Sequence, residues 1–195
     1  MPLPAGGADR NSIPPYETPN LKVTKHLILN SPLRTSALRT LGGYGNVFAA
    51  ESFIDEMAAA AGADPVEFRL RHMKDPRARA VAAVDAGQIV NPDGVVNQIE
   101  GGIIQSASWT LKEEVRFDRT RVKTRSWADY PIVRFDEVPA IEVVLLNQPN
   151  APFLGVGEGS QGPAAAAIAN AIANTTGKRL RALPFTPARV KLALA

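Results

Sequence analysis

Cysteine is missing from the 195 residues of the sequence, and histidine occurs only as His26 and His72. The lack of cysteine excludes disulfides, a thiol nucleophile and any iron–sulfur cluster bound by this chain. Two histidines make a histidine-rich metal site unexpected. No apolar run approaches the roughly 18 residues that a membrane helix needs. The net charge is only +3, so the composition indicates a soluble chain without a nucleic-acid-binding footprint.

Acidic residues are missing from the C-terminal end, because no Asp or Glu follows Glu158. The basic residues that do follow it are Lys178, Arg179, Arg181, Arg189 and Lys191. Such a tail is typical of a solvated surface or of a contact with an acidic partner. The N-terminus lacks the charged and apolar regions of a signal peptide. We therefore expect a cytoplasmic chain without an export signal of its own, with assembly in the periplasm left open.

The N-terminal third predicts little regular structure before its first helix. Residues 1–20 contain five prolines and predict an extended arm without a core. The next stretch, Leu21–Leu29, places apolar residues on one parity and predicts a half-buried strand with His26 on the other face. Further strands are predicted at 81–84, 141–146 and 179–183, and a hairpin from 113–117 and 121–124.

Helical periodicity predicts helices at 46–61, 65–73, 95–108, 163–174 and 187–194. Asn46 and Asp64 are candidate N-caps, and Gly62 and Gly177 are candidate stop signals. Three carboxylates of the first helix lie opposite its apolar stripe, so we expect a solvated face there; they are Glu51, Asp55 and Glu56.

The helix at 95–108 contains the pair Gly101–Gly102. Glycine inside a helix costs on the order of 1 kcal/mol relative to alanine. We therefore expect close packing against another backbone or a ligand at this point. Gln98 lies one turn earlier and could offer its amide to whatever approaches.

The stretch 154–173 is the most informative one, because a loop with glycines at 155, 157, 159 and 162 runs into an Ala/Ile-rich helix. Glu158 sits between two of these glycines. Glycine lets a ligand approach the main chain closely, and the free amides of a helix start favour an anion. One interpretation is that Glu158 is a single acid placed to take part in a reaction. The other is a glycine-rich connection whose glutamate faces water, and residue types alone do not separate the two.

Residues 157–162 match the G-x-G-x-x-G pattern of dinucleotide-binding loops, but their context does not. The fingerprint should follow directly on a strand, yet about ten residues separate this loop from the strand predicted at 141–146. No acid follows to bind a ribose hydroxyl, and Glu158 would repel a pyrophosphate. NAD(P) binding is therefore rejected.

Several long motifs resemble one protein family and occur in its order. They are the run from Arg39 to Met73, the run VDAGQIVNPDGVVNQIEGGIIQS from Val84 to Ser106, Asp129-Tyr130-Pro131, and the Glu158 loop with the AIANAI that follows. The family is the molybdenum-cofactor-binding large subunit of xanthine dehydrogenase and aldehyde oxidase. The most similar type is the bacterial isoquinoline 1-oxidoreductase or nicotinate dehydrogenase, and the resemblance covers most of residues 9–190.

The resemblance implies roles for four residues. Glu158 matches the active-site general base, which takes a proton while a heteroaromatic or aldehyde substrate is hydroxylated with water-derived oxygen. Gln98 matches a glutamine that hydrogen-bonds the pterin. Arg39 and Gly157 match residues beside the metal, and no side chain of this chain is expected to bind the metal itself.

The resemblance also implies a cofactor and partners. The cofactor is molybdenum bound to molybdopterin in its cytosine dinucleotide form, and iron–sulfur clusters are expected only in a partner chain. The expected partners are an iron–sulfur small subunit, a small-molecule substrate and, where the large subunit is split, a chain that carries its N-terminal part. The family's large subunit is several times longer than this chain. A second gap is expected near Ala80, and Thr40 stands where a glycine is usual.

The implied fold is α+β, with helices packed on a mixed β-sheet in two layers as part of the molybdenum-binding domain. The predicted organisation is an arm at 1–20, a first segment at 21–80 and a second segment with the catalytic loop at 81–195. Two functions stay open. The chain is either part of a molybdenum hydroxylase that works with other chains, or a truncated non-catalytic homologue that serves as a structural or interaction module.

Overall fold

A computed structural model describes residues 8–26, 28, 30–31, 33, 38–74 and 84–195. Helices dominate: α1 (Gly43–Ala60), α2 (Pro65–Arg71), α3 (Pro92–Leu111), α4 (Gln161–Thr176) and α5 (Pro187–Leu194). Two short strands, β1 (Val84–Asp85) and β2 (Leu145–Leu146), pair in parallel with Val84 opposite Leu145. A 3-10 turn spans Phe135–Glu137. The described residues therefore confirm the helices, whereas the predicted sheet layer stays a prediction.

The core is centred on α4, which packs against both α1 and α3. Its inward face is made of alanines that are at most 2% exposed: Ala165, Ala166 and Ala169. Small side chains let helix axes approach closely, so these contacts fix the relative positions of the three helices. The loop that precedes α4 is thereby held beside the start of α1 and the middle of α3.

Two glycines mark the closest approaches. A Cβ added to Gly162 on α4 would lie 2.7 Å from Cβ of Val47 on α1. A Cβ added to Gly102 on α3 would lie 2.1 Å from Oγ of Ser160. The expected close packing at the glycine pair is therefore confirmed for Gly102, whereas an added Cβ on Gly101 would have no atom within 4 Å.

Most predicted helix ends are confirmed by their caps. The Asp64 side chain accepts from the amides of Val66 and Glu67 at 2.9 Å, and α2 begins there. The helices α1 and α4 stop at Gly62 and Gly177, whose φ angles of +60° and +70° suit glycine. The helix α3 is three residues longer at each end than predicted. Its N-cap is Asn91 rather than a residue nearer Val95, and its last residue is Leu111.

The predicted cap of α1 is wrong, because the helix begins at Gly43 rather than after Asn46. The side-chain amide of Asn46 instead donates to the carbonyls of Ala8 and Arg10, both at 2.8 Å. Asn46 therefore does not cap α1, and its side chain holds the N-terminal segment against this helix.

Two of the predicted strands are wrong. Residues 21–26 and 28 form no strand and are exposed, while Leu27 and Leu29 lie outside the described residues. Residues 179–183 form no strand either. An alternation of apolar residues is not enough to form a strand, because the backbone also needs a neighbouring strand with which to hydrogen-bond.

The remaining strand predictions are confirmed in part. Of 141–146 only the last two residues are extended as β2, and of 81–84 only Val84 lies within the described chain. The hairpin is present as a Phe117–Val122 bridge, with the Lys123 amide donating to the Arg116 carbonyl at 2.7 Å.

The expectation of a solvated carboxylate face on α1 is also wrong. Asp55 is only 7% exposed and pairs with Arg69 at 3.4 Å and Arg179 at 3.2 Å. Glu51 accepts from the hydroxyl of Tyr16 at 2.7 Å and from Arg69 at 3.0 Å. Burial, and then the bond to Glu51, raises the pKa of Tyr16 well above its ordinary value. These carboxylates join α1 to α2, to the N-terminal segment and to the C-terminal end.

The basic tail is largely used in internal contacts of this kind. Arg181 makes a bidentate pair with Glu56, and this hydrogen bonding lowers the pKa of the Glu56 carboxyl. Arg189 pairs with Glu114. Both arginines are exposed, as expected of a solvated surface, and each also pairs with a carboxylate of this chain.

The domain limits stay predictions. The boundary expected near residue 80 falls in 75–83, outside the described residues. The helix α1 of the predicted first segment packs directly on α4 of the second. Tyr16 of the predicted arm is buried against α1.

Candidate functional site

The predicted site residues meet where three pieces of chain converge. These pieces are the Arg39–Thr40 turn before α1, one face of α3, and the glycine loop that leads into α4. The α1–α4 and α3–α4 contacts bring them together. The site is thus a product of the tertiary fold.

Arg39 makes hydrogen bonds to three other residues of this site. Its Nε donates to the carbonyl of Gly157 at 2.5 Å. One terminal nitrogen donates to Oε1 of Gln98 at 3.0 Å, and the other to Oε1 of Gln105 at 3.3 Å. The predicted residues Arg39, Gln98 and Gly157 are therefore in direct contact.

Glu158 follows Gly157, whose carbonyl binds Arg39, and 42% of the Glu158 side-chain surface is accessible. Its Oε1 accepts from the backbone amide of Thr40 at 3.1 Å. Its Oε2 lies 3.6 Å from Nη2 of Arg10. One carboxylate oxygen is thus fixed by the chain, and the other faces a cation at the protein surface.

The turn that holds Glu158 has an unusual backbone. Thr40 and Leu41 have φ angles of +78° and +54°. For a β-branched residue such an angle is a genuine outlier and costs on the order of 1–3 kcal/mol. Thr40 is also buried, and its Oγ1 has no hydrogen-bond partner within the described chain. The backbone of Thr40 is therefore strained, and its amide donates a hydrogen bond to the Glu158 carboxylate.

Gln161 and Gln105 belong to the site, although neither was predicted from the sequence. Gln161 is completely buried at the start of α4. With its amide oxygen facing Arg39 Nε at 2.7 Å, its nitrogen donates to the Glu158 carbonyl at 3.1 Å, an orientation that satisfies both atoms. Gln105 could have been found, because it lies seven residues after Gln98 on the same face of α3.

Arg10 was not predicted either, and no local pattern points to it. Its segment is placed by the two hydrogen bonds from Asn46 described above. The contact with Glu158 spans most of the chain, which local periodicity does not reveal.

An apolar cleft of about 770 Å³ adjoins the glycine loop. It lies between α3 and α4, and residues 139–144 and 154–156 form its other side. Its lining includes Ile99, Ile103, Val143, Leu154, Val156 and Ile168. Gly159 of the glycine loop also borders it, whereas Arg39, Gln98 and Glu158 are not among the residues that line it.

Two family models match the sequence, and both are described as a molybdopterin cofactor-binding domain. One matches residues 45–139 and the other residues 6–73. The chain is 37% identical to one subunit of the nicotinate dehydrogenase of Pseudomonas putida over 257 residues, which covers 95% of this chain. It is 30% identical to the beta subunit of isoquinoline 1-oxidoreductase of Brevundimonas diminuta over 212 residues, or 80% of this chain.

The chain belongs to the molybdenum-binding subunits of the xanthine dehydrogenase family. The recognition made from the motifs is thereby confirmed.

The structure also resembles solved members of this family. Quinoline 2-oxidoreductase from Pseudomonas putida 86 superposes on 56% of the chain with a TM-score of 0.52 and 32% sequence identity. A Cu,Mo-CO dehydrogenase superposes with a TM-score of 0.51 at 22% identity and supports the fold alone. Within the described residues, no helix combines the length and apolarity needed to cross a membrane.

The chain spans about a quarter of the length of these two curated relatives, with 22% and 27% covered. The first alignment is also longer than the chain, with 257 aligned positions against 195 residues. At least 62 of its positions, 257 minus 195, therefore have no counterpart here. The length of this alignment supports the expected internal gap, but it does not show that the gap lies near Ala80.

The residues present fit one end of a molybdopterin cofactor. The Arg39 guanidinium has only neutral oxygens among its partners in the described chain, so its charge is available to an anionic group. The exposed Gln98 keeps its amide nitrogen as a donor toward a ligand, and an added Cβ on Gly155 would meet no atom within 4 Å. Among the described residues, no group of three or more His, Asp or Glu is arranged to hold a metal ion.

Proposed function

We propose that this chain forms part of a molybdopterin-dependent oxidoreductase that hydroxylates an N-heteroaromatic substrate with oxygen from water. Glu158 would be the general base. The observation that carries the proposal is the convergence of Arg39, Gln98 and Gly157 beside Glu158 in a chain of this family. Arg39 and Gln98 lie far apart in sequence, so the fold itself assembles the implied site.

Each residue would have a defined task. When bound, the molybdenum cofactor would supply the two-electron oxidation. Glu158 would accept a proton on Oε2, because the Thr40 amide already occupies Oε1. A base placed in this way is worth roughly 10²–10⁴ in rate. Arg39 would hold the Gly157 carbonyl, and with it the loop that carries the base, while the Gln98 amide would bind the pterin.

The substrate class follows from the relatives and the cleft. The relatives' names refer to nicotinate, isoquinoline and quinoline, all of which are N-heteroaromatic. The cleft that borders Gly159 is lined mainly by aliphatic side chains, which suit a flat ring. An aldehyde would satisfy the same chemistry and is the broader form of the proposal.

Partner chains are part of the proposal. A chain without cysteine holds no iron–sulfur cluster, so an iron–sulfur small subunit would pass on the electrons. The cofactor, in its cytosine dinucleotide form, would need walls from a further chain, because a ligand of that size is enclosed by several segments of protein.

Replacing Glu158 with glutamine in the assembled enzyme tests the proposal. The amide keeps the Thr40 contact but accepts no proton, so turnover should be abolished while molybdenum content stays near normal. Glu67→Gln, in an exposed pair with Arg71, is the matched control and should change neither quantity. An equal loss of molybdenum in Glu158→Gln would make Glu158 a structural residue.

The alternative is a truncated non-catalytic homologue that acts as a structural or interaction module. The observation that favours it is the set of at least 62 aligned positions that have no counterpart in this chain. Elemental analysis separates the two, with the chain purified alone and after co-expression with its genomic neighbours. Absence of molybdenum from both samples would favour the module.

A further inference from the structure

We propose that Gln161 is a positioning residue that sets where the Glu158 side chain lies, because its amide ties the backbone of Glu158 to Arg39. The inference rests on the proposed function only in giving Glu158 the role of the base, whereas the tie itself is a property of this chain. It is carried by the burial of Gln161, by its anchorage on α3 and by the two groups that its amide binds.

The burial of Gln161 is the first observation. Its side chain is 0% exposed, on the face of α4 whose other buried side chains are the alanines of the core. A buried amide without partners suffers the full cost of its desolvation, which an apolar side chain of the same size would avoid. An amide at this position is therefore expected to bind defined partners at both of its ends.

Both ends of the Gln161 amide are used at the site. Its oxygen faces Nε of Arg39 at 2.7 Å, and its nitrogen donates to the backbone carbonyl of Glu158 at 3.1 Å. The same Nε of Arg39 donates to the Gly157 carbonyl at 2.5 Å. These two carbonyls belong to the planar peptide groups on either side of the Glu158 Cα. Fixing both planes fixes the direction in which the Glu158 side chain leaves the loop.

The position of Gln161 is in turn fixed by α3. Its backbone carbonyl accepts a hydrogen bond from the buried hydroxyl of Ser106 at 2.7 Å. The hydroxyl of Ser160, the preceding residue, donates to the Ile99 carbonyl at 3.1 Å. Two consecutive residues are thus joined to α3 before the Gln161 side chain turns back toward the loop. Gln161 therefore relates the position of Glu158 to that of a helix.

The glycine loop requires such a restraint. Gly157 and Gly159 flank Glu158, and glycine has more backbone freedom than any other residue. Among the described residues, the only other main-chain hydrogen bond of 155–159 runs from the Gly159 amide to the Val156 carbonyl at 3.3 Å. Without the Gln161 amide, the peptide plane that follows the Glu158 Cα would lose its hydrogen bond to the rest of the site.

The Thr40 amide reports where the Glu158 carboxylate lies, because it donates to Oε1 at 3.1 Å. The test measures hydrogen exchange of this amide by NMR in the purified full chain. Gln161→Met keeps the size of the side chain and removes both of its hydrogen bonds. Exchange at Thr40 should then be about tenfold faster than the loss of global stability accounts for. Glu158→Ala, which removes the acceptor, gives the rate for complete loss of the contact.

Ala169→Gly is the matched control, because it weakens the same buried face of α4 two turns after the loop. In this variant the exchange rate at Thr40 should change only as far as the loss of global stability predicts. Gln161→Glu is a second test that does not depend on the folding of Gln161→Met. It keeps an oxygen for Arg39 but sets an oxygen against the Glu158 carbonyl, so it should also speed exchange at Thr40 beyond the global loss.

In the assembled enzyme, Gln161→Met should lower kcat by at least about tenfold while KM and molybdenum content stay near the wild-type values. A general loss of structure would lower molybdenum content as well. Exchange at Thr40 that follows only the global stability in both Gln161 variants, an equal excess in Ala169→Gly, or an unchanged kcat would each overturn the inference. Failure of the proposed function gives a different result, because molybdenum and turnover would then be absent from the wild type while exchange at Thr40 still decides the role of Gln161.

Discussion

Replacing Gly162 with alanine tests whether the site depends on the close approach of α1 and α4. The new Cβ would lie 2.7, 3.0 and 3.2 Å from Cβ, Cγ1 and Cγ2 of Val47. The nearest of these atoms is a Cβ, which moves only with the backbone of α1, so no rotamer change relieves the contact. The two helices would have to separate locally.

The magnitude follows from two opposing effects. Overpacking of a close contact costs about 1–3 kcal/mol. Alanine regains up to about 1 kcal/mol of helix propensity over glycine. Because the clash is with a backbone-fixed atom, we expect a net loss of about 2 kcal/mol, toward the upper end of what these two effects allow. For a chain of this size that lowers Tm by roughly 4–8 °C.

The assay is urea unfolding of the purified chain, with melting followed by circular dichroism. Val47→Ala removes Cγ1 and Cγ2, which lie 3.0 and 3.2 Å from the new Cβ. The loss of unfolding free energy caused by Gly162→Ala should therefore be smaller in that background than in the wild type. Gly101→Ala is the control, because no atom lies within 4 Å of the new Cβ, and it should stabilise by about 0.5–1 kcal/mol. Wild-type stability of Gly162→Ala would refute the reasoning.

Three further predictions concern stability. Thr40→Gly should stabilise the chain by about 1 kcal/mol in urea unfolding, because it relieves the positive φ and removes an unpaired buried hydroxyl; a destabilised variant would show that the turn is unstrained. Asp55→Ala should cost about 1.5–3 kcal/mol, because it removes one of two carboxylate partners of the buried Arg179, which keeps Glu56 and Asn170, whereas Glu67→Gln in an exposed pair should cost less than about 1 kcal/mol; equal effects would contradict the burial argument. Burial, and then the hydrogen bond to Glu113, raises the pKa of Tyr130 to about 12. Its contribution to stability is therefore present below about pH 10 and lost as pH rises toward 12, so Tyr130→Phe should flatten the alkaline fall of the unfolding free energy.

The presence of the helices, and several of their ends, could be predicted because these signals are local. Asp64, Gly62 and Gly177 act through backbone geometry within a few residues, and the structure confirms each one. The α5 helix matches its predicted span because Thr186 and Pro187 define its first turn. Local chemistry decides these positions.

The strands and the charged face of α1 could not be predicted in the same way. A strand requires a partner, and the apolar alternation of Leu21–Leu29 says nothing about whether one is present. The burial of Asp55 depends on Arg69 and Arg179, and Arg179 lies 124 positions away. Neither partner is visible in the helical periodicity of α1.

The site was predicted from the family's motifs, and the structure places the four predicted residues in one cluster. Arg39, Gln98 and Gly157 are in contact, and Glu158 is joined to them through the Thr40 amide. Their individual roles stay predictions. Arg10 and Gln161 were missed because each acts through a tertiary contact that no motif contains.

The convergence of the site on the α1–α4 and α3–α4 contacts has a practical consequence for ligand discovery. The contacts that align Arg39 with Glu158 are those that hold the helices together, so unfolding dismantles the binding surface in the same step. A compound that occupies it must then delay melting, by RT ln(1 + [L]/Kd) in free energy. Thermal-shift screening of heterocycle libraries can therefore rank candidate substrates before any active assembly has been reconstituted.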